Sequence, residues 1–190
     1  MDRARVLIAY LGAAREALLW KLEGLSEFEL RAPRTPTGTT LLGIVKHCAI
    51  IQHGYFGIVL GRDPGIEVPA YDYDADPNAD LYATAEESAA QIFATFRAVG
   101  AYVDATLAEL PLDFPARVPW WGDRGQTTLG RIAVHVLYDI SRHCGRADVL
   151  RESIDGAAGM SAANDNLGEP ADGWPAHVAR LQEIAEEFAR

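Results

Sequence analysis

The chain has 190 residues, of which 49% are apolar and 23% are charged, as in an ordinary soluble protein with one hydrophobic core. Its formal net charge of -10 disfavours nucleic acid and anionic membrane surfaces as partners, because both require clustered Lys and Arg. No apolar run approaches the roughly 20 residues that span a bilayer, and the first residues lack the pattern of a signal peptide. Two cysteines, Cys48 and Cys144, cannot build a disulfide framework, which favours a cytoplasmic location.

Apolar residues recur at helical spacing in five segments of the chain. The predicted helices cover about 3–23, 40–60, 84–109, 127–154 and 175–190. Ser26 with Glu29 matches a capping box and predicts a short extra turn of helix, and Thr84 with Glu87 predicts the start of the third long helix. The intervening segments are rich in Pro, Gly and polar residues, which predicts loops.

No segment shows a convincing strand pattern, so the sequence predicts an all-α protein. Four long helices and a last one predict a four-helix bundle with an additional C-terminal helix. We expect residues 1–156 to form the bundle. Residues 157–190 are expected to form a flexible linker and an amphipathic helix that packs on the same domain.

Three potential metal ligands, His135, Asp139 and His143, are spaced four residues apart and share one face of the fourth long helix. His135 and His143 lie about 12 Å apart along the helix axis. One ion is therefore expected to bind a neighbouring pair, either Asp139 with His143 or His135 with Asp139. His47, on the second long helix, is the candidate for a third ligand.

Two imidazoles and one carboxylate leave a coordination position for water or substrate, as in catalytic sites. This ligand set predicts zinc, with iron or nickel as alternatives. A histidine that is not a ligand, such as His135, could then accept a proton as a general base.

Other candidates surround this site. Arg142 and Arg146 could bind a substrate carboxylate, and Trp120 and Trp121 could line a pocket or close the bundle end. Four acidic residues between the second and third long helices are interpreted as a solvated loop rather than a calcium site: Asp72, Asp74, Asp76 and Asp80. Cys48 and Cys144 are interpreted as packed thiols, and His53 and His177 as lying outside the site.

Three stretches resemble the mini-circle branch of the DinB/YfiT-like superfamily. They read LLWKLEGL at 18–25, GTTLLGIVKH at 38–47 and HVLYDISRHCGRADVLRE at 135–152. The resemblance implies a four-helix bundle, often dimeric, that holds a divalent metal with one His from helix two and two ligands from helix four. Matched residue by residue, those ligands are His47, Asp139 and His143. Asp139 stands where this branch usually has Glu, and Arg146 where it commonly has His.

The resemblance also implies an activity, since a relative is a mycothiol-dependent maleylpyruvate isomerase. We expect a metal-dependent thiol S-transferase or isomerase that joins a mycothiol-like, low-molecular-weight thiol to an electrophilic substrate, and that forms a homodimer. The alternative is a non-catalytic, metal-binding helical dimer that acts as an interaction or stress-associated module. Metal-assisted hydrolysis is a third hypothesis.

Overall fold

The structure, a computed structural model, describes residues 2–189. In chain order its first five helices are α1 (Arg3–Trp20), α2 (Glu27–Arg31), α3 (Leu41–His53), α4 (Ala89–Glu109) and α5 (Leu129–Asp155). Both α1 and α3 pack against α4 and α5, so the four long helices form a four-sided bundle. This arrangement confirms the prediction of a mainly helical protein built on a four-helix bundle. No helix in the described part of the chain is long and apolar enough to cross a membrane.

The core lies between the four long helices and consists of fully buried apolar side chains. Its members include Leu11, Leu18, Leu42, Val45, Phe96, Val103, Ile132, Val136 and Ile140. Burying each such side chain contributes about 1.5–3 kcal/mol. On α5 the buried positions 132, 136 and 140 repeat every four residues. Positions 135, 139 and 143 each follow one of these buried positions by three residues, which places them about 60° away around the helix. They therefore lie beside the face of α5 that packs into the core.

Side chains cap the helix starts, in part as predicted. The capping box of Ser26 and Glu29 is present at α2. The predicted start at Thr84 is wrong, because α4 begins at Ala89 behind a capping box of Ser88 and Gln91. The carboxylate of Glu87 instead accepts a hydrogen bond from the buried Lys46 of α3, which holds this residue outside the helix.

Two short strands correct the expectation that the chain contains none. β1 (Pro115–Arg117) and β2 (Gln126–Thr128) pair antiparallel, with Ala116 opposite Thr127. Three residues per strand are too few for an alternating pattern to be recognised in a sequence. The strands flank a 3-10 turn, Pro119–Arg124, that carries both tryptophans of the candidate site.

The second long helix also differs from its predicted form near its end. It is α-helical only to His53 and continues as a π-helical turn, Gly54–Ile58. Such wide turns are rare and often occur at functional sites. Here the turn carries Tyr55, whose side chain is buried.

The last helix, α6 (Gly173–Glu186), is present close to its predicted position. None of its residues is buried, and its apolar side chains Val178, Leu181 and Ile184 are about half exposed or more. That this helix packs on the bundle therefore stays a prediction.

Candidate metal centre

Three side chains from two helices meet where α3 and α5 pack together. His47 Nε2 lies 3.7 Å from Asp139 Oδ2, and His143 Nε2 lies 3.8 Å from Asp139 Oδ1. The two imidazole rings have centroids 4.7 Å apart. Each residue offers one potential ligand atom, and these three atoms all lie within 4.8 Å of one another. We call these residues the His–Asp–His triad.

Two polar atoms of the triad are buried without a hydrogen-bond partner among the described residues, namely Asp139 Oδ2 and His143 Nδ1. Leaving such an atom unpaired costs about 1–3 kcal/mol, so unpaired buried atoms in a cluster indicate a missing ligand. Two ligands bound at about 2.0–2.2 Å to one ion can lie up to roughly 4 Å apart, which accommodates the separations between Asp139 and each histidine. The donor set therefore fits a divalent transition metal.

The protonation state of His143 suits a metal ligand. Burial, followed by the electrostatic influence of the neighbouring His47 ring, lowers the pKa of His143 to about 4. The negative charge of Asp139 opposes this shift, while Arg146 and Arg142 add to it. At neutral pH the imidazole is therefore uncharged, with a nitrogen lone pair available for coordination.

Asp80 is a functional candidate that the sequence analysis missed. Its Oδ2 lies 2.6 Å from Nδ1 of His47, and its side chain is 9% exposed, so the interpretation as a solvated loop residue is wrong for Asp80. Burial disfavours its charge, but the hydrogen bond and the positive charge of His47 outweigh this and lower the pKa of Asp80. A carboxylate on Nδ1 fixes the ring so that Nε2 faces Asp139, an arrangement common behind metal-binding histidines.

Lys46 holds the loop that carries Asp80. Its Nζ atom donates hydrogen bonds to the backbone carbonyls of Ala79 (2.9 Å) and Tyr82 (2.7 Å), on either side of Asp80. The side chain of Lys46 is 3% exposed, so these bonds are shielded from water. Consecutive residues of α3 therefore serve one site, since Lys46 fixes the loop that positions the ring of His47.

A glycine in α3 lets the same loop approach the helix. A Cβ atom at Gly43 would overlap the backbone carbonyl oxygen of Leu81. Any side chain here would push the loop, and with it Asp80, away from α3. The stretch GTTLLGIVKH at 38–47 thus contains both residues that position the loop, Gly43 and Lys46. The stretch alone does not reveal that their partner is the loop that carries Asp80.

His135 lies outside the triad, in a second polar group that we call the Tyr55 cluster: Tyr55, Trp120, Trp121 and His135. The Tyr55 oxygen accepts hydrogen bonds from the indole N–H groups of Trp120 and Trp121, each 3.1 Å long. Because an indole N–H can only donate, the phenol hydrogen is donated to Nε2 of His135, also at 3.1 Å. A role for His135 as a general base stays a prediction.

The two predicted anion-binding arginines lie near the triad, on the exposed side of α5. Nη2 of Arg146 donates to Oγ1 of Thr39 at 2.5 Å, just before the start of α3. Arg142 is exposed. Both guanidinium groups are close enough to lower the pKa of His143. Their role in substrate binding stays a prediction.

The cysteines beside the ligands are packed thiols. Burial raises the pKa of Cys48, which has no exposed surface. Burial also raises the pKa of Cys144 to about 12, and its Sγ donates to the carbonyl of Ala14. Neither thiol is ionised at neutral pH, so neither has the thiolate character of a reactive cysteine.

Comparisons with known proteins agree with this fold. The crystal structure of the conserved protein of locus from Enterococcus faecalis is similar, with a TM-score of 0.64 and 16% sequence identity over 83% of this chain and 99% of that chain. At this identity the likeness shows the fold alone. No curated protein was found to match the chain. The family model of mycothiol-S-transferase matches residues 6–156, which include nearly all of the bundle and the whole triad, so the chain belongs to the mycothiol-S-transferase family of DinB/YfiT-like proteins.

Proposed function

We propose that this protein is a divalent-metal-dependent S-transferase for a mycothiol-like, low-molecular-weight thiol. The observation that carries the proposal is the His–Asp–His triad, in a chain of the mycothiol-S-transferase family. Within the described residues, a buried carboxylate oxygen of Asp139 and a buried ring nitrogen of His143 have no hydrogen-bond partner. Three protein ligands leave a position for a thiol. Structural metal sites, in contrast, are closed by four protein ligands.

The residues of the triad would share the work of holding the cation. His47 and His143 would each bind the cation through a ring nitrogen, and Asp139 offers the carboxylate that offsets one positive charge. Asp80 keeps the His47 ring in the orientation that the site needs. The cation would lower the pKa of a bound thiol, so that sulfur is a nucleophile at neutral pH.

The overall reaction is a substitution. The sulfur of the thiol forms a bond to the electrophilic carbon, and the leaving group departs with the electron pair of the broken bond. The thiol proton is released to a base or to solvent. We propose zinc as the metal, since two nitrogens and one oxygen at a three-ligand site are typical of catalytic zinc, with nickel or iron as alternatives.

We further propose that the protein acts in the cytoplasm as a homodimer. Low-molecular-weight thiols are kept reduced in that compartment, as are the two free cysteines of this chain. Large apolar side chains on the outer faces of α1 and α5 support a dimer, since Tyr10 and Val149 are each more than 60% exposed. Sedimentation analysis of the full chain tests this assembly.

The experiment that tests the function compares the wild type with His143→Gln and with His177→Gln, a control in the exposed C-terminal helix. Metal content is measured after loading with Zn(II) and dialysis. Transfer is then measured from mycothiol or N-acetylcysteine to 1-chloro-2,4-dinitrobenzene. We expect about one equivalent of metal and activity in the wild type and the control, and neither in His143→Gln. Absence of metal from all three proteins would contradict the proposal and favour a non-catalytic helical module.

A further inference from the structure

A second concave site lies beside the N-terminal half of α5, one helical turn from the triad. We call it the aromatic cleft. It has a volume of about 590 Å³, and its lining includes Trp120, Trp121, Arg124, Arg131, His135 and Tyr138. This volume suits a small organic ligand.

The wall of the cleft is fixed by the Tyr55 cluster. The phenol of Tyr55 uses all of its hydrogen-bonding capacity on Trp120, Trp121 and His135, so both indole N–H groups are already bonded. The rings also contact one another, with centroids 5.3 Å apart for Tyr55 and Trp120 and 4.9 Å apart for Trp121 and His135. A ligand in the cleft therefore meets oriented ring surfaces rather than free indole donors.

Two glycines shape the loop that presents the tryptophans. Gly122 has a φ of 57°, which side-chain-bearing residues rarely adopt, and it breaks the 3-10 turn after Trp121. A Cβ atom at Gly125 would come within 2.5 Å of the carbonyl oxygen of Val118. The loop conformation is therefore specified by the sequence, and the wall exists before any ligand binds.

The cleft is cationic in a protein with a net charge of -10. Arg124 and Arg131 line it, and its described lining contains no Asp or Glu. Within residues 2–189 neither guanidinium forms an ion pair or a side-chain hydrogen bond. Arg131 lies over the ring of Trp121, 5.4 Å from the ring centroid, which orients its planar group. The free N–H donors of both arginines suit a carboxylate, phosphate or sulfonate.

We propose that the aromatic cleft binds the electrophilic substrate, and that this substrate is an organic anion with a planar ring. The ring would contact Trp121, and the anionic group would pair with Arg131 and Arg124. His135, on the cleft wall, precedes Asp139 by one turn of α5, about 6 Å along the axis. A substrate that fills the cleft would therefore extend its reacting carbon towards the triad. The assignment of the ligand as substrate rests on the proposed function.

Binding is tested first, without any reaction. Metal-free wild type is titrated by calorimetry with 1-naphthoate and with the uncharged 1-naphthamide. We expect saturable binding of naphthoate, at least about tenfold tighter than naphthamide, because only the anion pairs with the arginines. Arg131→Gln should weaken naphthoate binding about tenfold. Arg97→Gln, which removes an exposed arginine from α4, should leave it unchanged.

Three results would overturn the inference: no saturable binding of naphthoate below about 10 mM, equal affinity for the amide, or an unchanged affinity in Arg131→Gln. Because this titration needs no metal, it separates the cleft from the triad. Naphthoate binding by a protein that never takes up metal would uphold the cleft while the proposed transferase failed.

The substrate assignment is tested in the metal-loaded enzyme with two chlorinated rings. Transfer to 4-chloro-3,5-dinitrobenzoate and to neutral 1-chloro-2,4-dinitrobenzene forms the same carbon–sulfur bond and releases chloride with the bonding electrons. Arg131→Gln should raise KM about tenfold for the benzoate, with KM for the neutral ring changed less than about twofold. Equal changes for both rings would overturn the assignment, since the arginine would then not recognise the anion.

Discussion

The two polar groups on the flank of α5 differ in how their hydrogen-bonding capacity is used. In the Tyr55 cluster, both indole N–H groups and the phenol O–H group donate hydrogen bonds, each with a donor–acceptor distance of 3.1 Å. In the His–Asp–His triad, two buried atoms have none among the described residues. Both groups use a histidine from the same helix. A buried network in which every hydrogen bond is made stabilises the fold. A cluster of metal-ligating side chains with unpaired buried atoms instead indicates where a ligand binds.

Their surroundings differ in the same sense. Asp80 and Lys46 surround His47 with a second layer of hydrogen bonds that orients its ring. The Tyr55 cluster is instead covered by ring contacts and opens onto a cationic cleft. We therefore expect the triad to bind a metal ion and the Tyr55 cluster to support a pocket wall.

The largest expected effect separates the two groups by metal affinity. His143→Gln should lower the affinity for Zn(II) by at least about 100-fold, or about 2.7 kcal/mol, because it removes one of three protein ligands. His135→Gln, in the Tyr55 cluster, should change the affinity less than about threefold. Competition with a chromophoric chelator measures both. Equal losses in the two variants would contradict the division between the groups.

The pH dependence of the metal-free protein sharpens the comparison. The pKa of His143 is about 4 in the folded protein and about 6.5 when unfolded, so the unfolded chain binds more protons between these values. Stability should therefore fall by about 2–3 kcal/mol as the pH drops from about 6.5 to 4. Burial is the main cause of the low pKa of His143. His47, Arg146 and Arg142 lower this pKa further, and Asp139 opposes them.

Urea unfolding across this pH range, with chelator present, makes the measurement. His143→Gln serves as the control, since it lacks the titrating group and should lose clearly less stability over the same range. Because the pKa of Asp80 is lowered, its contribution to the free energy of unfolding is lost only at lower pH, as the carboxylate is protonated. Parallel curves for the wild type and the variant would show that His143 does not titrate as described.

Removing the central hydroxyl tests the complete network. Tyr55→Phe leaves two indole donors and the His135 acceptor without their partner, which should lower the free energy of unfolding by about 2 kcal/mol. Zn(II) affinity should stay within about threefold of the wild type. Tyr73→Phe is the control, because the Tyr73 side chain is about half exposed. A variant as stable as the wild type would show that the network contributes no stability.

The smallest expected effect concerns the second layer of the triad. Asp80→Asn keeps the shape of the side chain but removes the charge that faces His47, and it should weaken Zn(II) binding about tenfold. Asp74→Asn, in the exposed part of the same loop, should have no effect. Calorimetric titration with Zn(II) gives both affinities, and unaltered binding by Asp80→Asn would remove Asp80 from the site.

The sequence predicts the triad better than its surroundings for a physical reason. Asp139 and His143 are four residues apart on one helix, so helical geometry alone places them together. The contact of His47 with Asp80 spans 33 residues and depends on the path of an irregular loop. The link between Tyr55 and His135 spans 80 residues and a π-helical turn. Neither leaves a periodic signal, and the three-residue strands are too short to leave one.

The central claim is that the triad holds a divalent cation with a position open to a thiol. Cobalt(II) tests it directly, since its absorption spectrum reports coordination and gains an intense sulfur-to-cobalt charge-transfer band when a thiolate binds. We predict that mycothiol or N-acetylcysteine produces this band in the Co(II)-loaded wild type, at one cobalt per chain, but not in His143→Gln. Cobalt bound with an unchanged spectrum at saturating thiol would contradict the account, because the site would then be closed to the thiol.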